Sequence, residues 1–364
     1  MGRKHYLKYS ISKNALFNAG EIFKGKVSPK NEQELFEAYD IVNSWRAMHA
    51  YPLNTFQASI RKILQRTKIT NPIVAQRLKR FASVILKLRR YKTMRLERMQ
   101  DIGGIRIILN KVSDVYQVRD ALLNANWKHV FKGSKDYIEE PQKSGYRSVH
   151  IVYEYKNSLA PKEYQGLHIE VQIRTRLQHI WATTVETIGT FVNHSLKSSQ
   201  GPQKWLDYLK LASAVFSIEE GTTLAEEFRT QSPLTLVEKL YKQTVELDIF
   251  TSLDSFHRAM KFSDDKRFKN KFVLLKIDLK KNSGRATIFN QKDFDKATFQ
   301  YGEFEKTKNE FEDAVLVSTR SLKELKKAYP NYFVVASAFI KRLNKIFKSY
   351  GFSEIIIPRT DAEN

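Results

Sequence analysis

The sequence predicts an α+β protein in two parts, and three observations carry that reading. Short apolar runs of strand length, at 105–109, 148–155 and 168–174, are interleaved with stretches of helical periodicity. A change of composition near 221–233 separates them from a second set of strands and helices. The chain has 364 residues, a hydrophobic fraction of 42% and no repeat, enough for more than one packed core.

Residues 1–30 are basic, and Gly20, Gly25 and Ser28-Pro29 predict irregular chain. Leu35, Phe36, Tyr39, Val42 and Trp45 recur at helical spacing over 32–48, and a helix capped by Thr55 follows through Arg66. Asn71-Pro72 reads as the N-cap and first position of a helix over 72–92. Leu78, Phe81, Ile85 and Leu88 form its core stripe, with Arg77, Arg80, Lys87 and Arg90 outside it. From Arg77 to Arg98 there are nine Lys/Arg against one acid, Glu97.

Asp101 comes next, just before Gly103-Gly104, a pair that suits a tight turn or close approach to a ligand. A carboxylate there, at a strand edge beneath a basic helix, suits Mg2+ on a polyphosphate. The 105–109 run reads as a buried strand interrupted by Arg106, and Ser113-Asp114 as the cap of a helix to Asn124. A strand at 127–131 leads into a long polar loop, 132–147, of a kind that is often functional. In the 168–174 strand, Ile169, Val171 and Ile173 point one way, and His168, Glu170, Gln172 and Arg174 the other. Thr175 caps a helix whose core stripe includes Trp181, and a further helix spans 204–220. The second part reads as a helix (234–263), strands at 272–279, 285–290 and 313–318, helices at 320–328 and 333–348, and a short strand at 354–357.

The formal net charge of +23 points to a polyanionic partner, nucleic acid or nucleotide. The absence of cysteine excludes disulfides, thiolate zinc sites and thiol nucleophiles. No apolar run reaches membrane-spanning length and the first residues lack a secretory apolar core, so a cytoplasmic protein with no membrane partner is expected.

Three segments, Met99-Gln-Asp-Ile-Gly-Gly-Ile-Arg106, Ser144-Gly-Tyr-Arg-Ser-Val-His150 and Ile169-Glu-Val-Gln-Ile-Arg-Thr175, resemble in order and content the synthetase domain of the RelA/SpoT family. The resemblance runs from about Arg77 to Trp181, and more weakly to about Ser217. It implies a mixed β-sheet, nucleotidyltransferase-like fold flanked by helices, and ATP-dependent transfer of pyrophosphate to a ribose hydroxyl. Asp101, with Glu170, would hold Mg2+, and Glu170 would take the proton of the attacking hydroxyl. Arg77, Lys79, Lys87 and Arg106 would hold the phosphates of ATP or clamp its adenine. Tyr146 would stack on the acceptor's base, and Lys143 and His150 would contact its phosphates or ribose. Gln172 would orient a neighbour, and Lys135 fits either nucleotide.

The family's long members carry a hydrolase with an adjacent His-Asp pair. No such dipeptide occurs here, so a stand-alone synthetase is expected. The acceptor is either GDP/GTP, as in small alarmone synthetases, or the 3′ CCA end of tRNA, as in a toxic branch. The fused CapRel type of that branch carries a pseudo-zinc-finger domain with a Tyr-x-x-Tyr motif able to cover the ATP site, and is triggered by a phage protein. Tyr329-Pro-Asn-Tyr332 matches the motif, which makes autoinhibition an expectation. The expected division is a basic helical segment (1–70), a synthetase domain (71–225) and a regulatory domain (234–364). A non-catalytic RNA-binding protein on the same scaffold is the remaining alternative.

Overall fold

The computed structural model describes residues 11–191, 203–251, 253, 271–278, 283–307, 312–318 and 332–357. The chain divides into two compact units, Met1–Glu139 with Arg147–Arg176, and Glu140–Tyr146 with Leu177–Asn364. The expected boundaries at 70 and 225 therefore do not coincide with the observed division.

The first unit holds α1 (Lys13–Lys24), α2 (Glu32–Met48), α3 (Ala50–Thr67), β1 (Ile73–Leu78), α4 (Phe81–Arg90), β2 (Gly103–Leu109), α5 (Val112–Leu123), β3 (Val130–Asp136), β4 (Val149–Glu154) and β5 (His168–Thr175). Its strands form one mixed sheet in the order β1-β2-β5-β4-β3. The β2–β5 pair is parallel and the other pairs are antiparallel. Period-two alternation sends Ile105, Ile107, Leu109, Ile169, Val171, Ile173, Val149 and Ile151 to one face. Phe56, Ile60 and Leu64 of α3 and Val115, Val118 and Leu122 of α5 join them in one buried core. Each such side chain contributes about 1.5–3 kcal/mol of burial, so the alternation fixes the register and commits the opposite face to polar residues.

A second core is built from Leu16, Ala19 and Ile22 of α1, Ala38 and Val42 of α2, and Val84, Ile85 and Leu88 of α4. In α1, the Ser12 side chain accepts from the backbone of Ala15, and Gly25 ends the helix at φ 76°.

The second unit contains α6 (Arg176–Phe191), α7 (Gln203–Glu220), α8 (Pro233–Glu246), β6 (Lys271–Asp278), β7 (Ser283–Asn290), α9 (Phe294–Thr307), β8 (Glu312–Ser318) and α10 (Tyr332–Ser349). Among its described residues three strands form an antiparallel sheet, β7-β6-β8, against which α9 packs. The Phe216 and Phe339 rings join α7 to α10 at 5.6 Å, and Tyr241 of α8 meets Phe347 at 5.1 Å. Among the described residues no helix is long and apolar enough to cross a membrane.

Several expectations need correction. The basic segment before residue 30 contains a capped helix, α1. The helix expected over 72–92 is a strand and a shorter helix, β1 and α4. Asn71 takes φ 53°, a left-handed turn that Asn tolerates, and so reverses the chain instead of capping a helix. Gly103 and Gly104 lie inside β2 and not in a turn. Ser113 and Asp114 fall within the first turn of α5, after its N-cap Lys111. The strand expected at 127–131 begins at Val130 and takes in the start of the expected loop. α8 ends at Glu246, where Asp248 adopts φ 46°. α9 was not foreseen, and 354–357 is irregular and not a strand. The helix expected at 320–328 and Tyr329 lie outside the described residues.

The two adjacent glycines do different things. A Cβ on Gly103 would stand 2.7 Å from Ile169 Cδ1 and 3.3 Å from His49 Cβ and Leu53 Cγ, because α3 crosses β2 there. One on Gly104 would meet nothing nearer than the Arg77 carbonyl oxygen at 3.9 Å. Gly103→Ala is therefore expected to destabilise the fold by about 1–3 kcal/mol, read as a fall in the urea midpoint, with Gly104→Ala near neutral in the same measurement. The buried His49 gives a second test. Burial drives its pKa down to about 4, opposed by its hydrogen bond to the Trp45 carbonyl. A depressed imidazole binds protons better unfolded, so its contribution is complete above pH 6.5 and is lost as pH falls towards 4, about 3 kcal/mol in all. His49→Gln should flatten that part of the urea-midpoint profile against pH.

Candidate active site

The polar face of the first unit's sheet follows from the register. One cross-strand row reads Arg77, Gly104, Glu170 and Val152. The next reads Ala75, Arg106, Gln172, His150 and Lys135. Cross-strand partners share a face, so Arg77, Glu170, Arg106, Gln172, His150 and Lys135 are all presented on the side opposite the α3–α5 core. Gly104 leaves a gap between Arg77 and Glu170. Arg77, Asp101, Gly104, Arg106, Glu170 and Gln172 line a small cleft there.

Asp101 lies in the turn that leads into β2 and is clamped by two cations. Lys79 Nζ is 2.8 Å from Oδ2 and Lys87 Nζ is 2.9 Å from Oδ1. Lys79 is itself fixed: its N–H donates to the Ile102 carbonyl at 2.7 Å, and its carbonyl accepts from Arg46 Nε at 2.6 Å. Lys87 projects from α4. Burial opposes the charge on Asp101, but the two ammonium groups outweigh it and hold the pKa at about 2. Asp101 is thus ionised throughout the neutral range.

Glu170 is held from both sides. His150 Nδ1 lies 2.9 Å from Oε1, and Gln172 Nε2 donates to Oε2 at 2.6 Å. Burial and the Asp101 charge push its pKa up; His150 and Gln172 prevail, and the result lies below the usual carboxylate value. The Tyr137 ring stands edge-on to His150 at 5.1 Å.

The structure thus brings together Arg77, Lys79, Lys87, Asp101, Arg106, His150, Glu170 and Gln172, eight of the residues singled out from the sequence. The exposed Lys135 stands opposite His150 across the β3–β4 pair. Arg174, assigned to the polar face by alternation, is 1% exposed and does not open to solvent. Gly104, which the sequence marked only as half of a glycine pair, lines the cleft in its own right.

Lys143 and Tyr146 lie in the 140–146 segment, which belongs to the second unit. Lys143 is exposed there. Tyr146 is only 8% exposed, so the open aromatic face expected of it is absent. The segment is tied down at Gly145, whose carbonyl accepts from Ser213 Oγ at 2.6 Å and whose φ is 87°. Trp181 is buried and donates to the Leu209 carbonyl, the core role expected of it. Tyr332 opens α10, far from the sheet in sequence.

Residues 76–190 match the family model described as the region found in RelA / SpoT proteins. GTP pyrophosphokinase YwaC of Bacillus subtilis is 34% identical over 154 residues, covering 40% of this chain and 69% of that protein. This chain belongs to the RelA/SpoT family. A second B. subtilis relative, GTP pyrophosphokinase YjbM, is 35% identical over 134 residues, 36% of this chain and 63% of its own length. The crystal structure of small alarmone synthetase 1 from B. subtilis, bound to its product pppGpp, aligns at TM-score 0.42 and 27% identity, covering 49% of this chain and 92% of that one. The RelA/SpoT region contains every cleft residue named above and excludes Tyr329 and Tyr332.

The donor set fits Mg2+ as a polyphosphate carries it. Among the described residues no cluster of three or more His, Asp or Glu could cage a metal. Two ionised carboxylates, Asp101 and Glu170, line one cleft, and Mg2+ needs only one or two when phosphate oxygens and water complete its shell. The grip on Glu170 can be tested directly. Removing His150 leaves burial and the Asp101 charge to dominate, so His150→Ala should raise the Glu170 pKa above the ordinary carboxylate value and Gln172→Ala should raise it less. Carboxyl 13C NMR titration of the two variants reads both shifts.

Proposed function

We propose that this protein is an ATP-dependent pyrophosphokinase whose acceptor is the 3′-hydroxyl at the CCA end of tRNA. The observation that carries the enzymatic reading is the cleft itself, which two ionised carboxylates line together with Arg77 and Arg106, Gly104 leaving the gap between Arg77 and Glu170. The acceptor's 3′-oxygen attacks the β-phosphorus of ATP, the bond to the α–β bridging oxygen breaks, and AMP leaves with that oxygen. Glu170 accepts the hydroxyl proton; His150 and Gln172 keep its carboxylate ionised and oriented. Arg77, Arg106, Lys79 and Lys87 hold the phosphates, with an arginine plane available to the adenine. Asp101 and Glu170 would hold Mg2+, which neutralises phosphate charge when bound. Phosphates entering the cleft compete with Asp101 for Lys79 and Lys87, so the clamp stores the cations where the substrate needs them.

The net charge of +23 supports tRNA over a single nucleotide. The stretch of chain that follows the RelA/SpoT region after residue 190, with Tyr332 in it, supports autoinhibition of the CapRel kind, released by a phage protein bound there in anti-phage defence. The second reading, a GDP or GTP acceptor, is favoured by the relatives, which are named GTP pyrophosphokinases.

Purified protein with Mg2+ and γ-32P-ATP, offered tRNA or GDP/GTP in parallel, separates the two, because the transferred pyrophosphate carries the γ-phosphate. Label on tRNA is expected; label confined to guanosine nucleotides refutes the tRNA reading. Asp101→Ala and Glu170→Ala should each abolish transfer, and normal turnover by either folded variant removes these residues from the mechanism.

A further inference from the structure

We infer that the outer end of α4 and the turn after it form a docking surface for the phosphate backbone of the acceptor RNA, leading outward from the cleft. The inference rests on the tRNA reading and names where that RNA lies. Lys87 fixes the inner end, since its ammonium contacts Asp101. Arg90 follows at three residues, on the same side of the helix one turn further out, and Tyr91 is the C-cap next to it. Arg90 is exposed with its guanidinium 5.4 Å from the Tyr91 ring centroid, and that ring is 47% exposed. A cation beside an open aromatic ring suits phosphate and a neighbouring base at once.

The charge continues past the helix. Arg89, Lys92 and Arg98 are exposed. Lys26 is exposed and donates to the Lys92 carbonyl at 3.1 Å, with Glu21 Oε2 3.7 Å from the same ammonium, so the end of α1 meets the turn after α4 there. Arg89 donates to the Phe23 carbonyl at 2.9 Å, which fixes its direction and leaves further N–H groups for a ligand. Glu97, the only acid from Arg77 to Arg98, is engaged by Arg95 at 2.6 Å. Cations in the last turn of a helix complement its dipole, as Lys87, Arg89 and Arg90 do in α4; Lys26 and Lys92 lie beyond the last turns of α1 and α4. A single nucleotide occupying the cleft would not need this strip, whereas a polynucleotide whose 3′ end enters the cleft carries phosphates away from it.

The test uses the full-length chain, fluorescently labelled tRNA and a salt series, with the γ-32P transfer assay run beside it. Arg90→Ala with Lys92→Ala should weaken tRNA binding tenfold or more and flatten the plot of log K against log salt by about 2, roughly one for each phosphate contact removed. Tyr91→Ala should weaken binding without changing the slope. ATP binding and the thermal midpoint should be unchanged in both variants, and Arg90→Lys with Lys92→Arg should restore binding. If the wild type labels tRNA and the double variant binds it with unchanged affinity and slope, the surface is wrong while the acceptor reading stands. A wild type that labels only GDP or GTP and does not bind tRNA overturns both. Equal loss of ATP and tRNA binding assigns these residues to the nucleotide cleft and overturns the surface.

Discussion

The contact on which the site depends is the double grip on Asp101. One partner, Lys79, comes from the end of β1 and the other, Lys87, from α4. The carboxylate thus ties the edge of the sheet to the basic helix beside it. The clamp is also why a depressed carboxylate and two ammonium groups coexist in a partly enclosed place, where any one of them alone would be poorly tolerated. Replacing Asp101 leaves two cations facing one another, so its loss changes the local field and removes a ligand at the same time.

Around that contact the sheet works as a register device. The demand that Ile169, Val171 and Ile173 face the α3–α5 core sends Glu170 and Gln172 to the other side. Pairing with β2 sets Gly104 beside Glu170, and pairing with β4 sets His150 beside Gln172. The two glycines of β2 divide the labour. Gly103 has no room for a side chain because α3 and Ile169 press on it, and Gly104 leaves room that the cleft uses. One strand carries both a closely packed glycine and the opening of the site.

The sequence revealed the polar face of β5 as far as Gln172, because a period of two has one structural meaning; from Ile173 onward the alternation of burial stops and Arg174 is enclosed. It misread 72–92, and the reason is physical. β1 is an edge strand with mostly exposed side chains, so no alternating hydrophobic signal distinguishes it from the first turns of a helix. The helical stripe is real only from Phe81 onward, where Val84, Ile85 and Leu88 enter the second core. Signals for α1 were present, a Ser cap at one end and a glycine at the other, but the density of charge obscured them. The burial of Tyr146 was not legible, because it depends on Gly145 being pinned by Ser213, 68 residues away. The clamp on Asp101 was half legible: the residues were named, but their mutual pairing comes only from the turn between β1 and α4.

The central claim is that Asp101 organises the binding of a metal–polyphosphate at this cleft. The most direct measurement is calorimetric titration of a non-hydrolysable ATP analogue into the full chain, with and without Mg2+, for the wild type and for Asp101→Asn. The account predicts that Mg2+ tightens binding in the wild type and that the variant loses this dependence while still binding the metal-free nucleotide through the cations of the cleft. An equal Mg2+ enhancement in both proteins would contradict it.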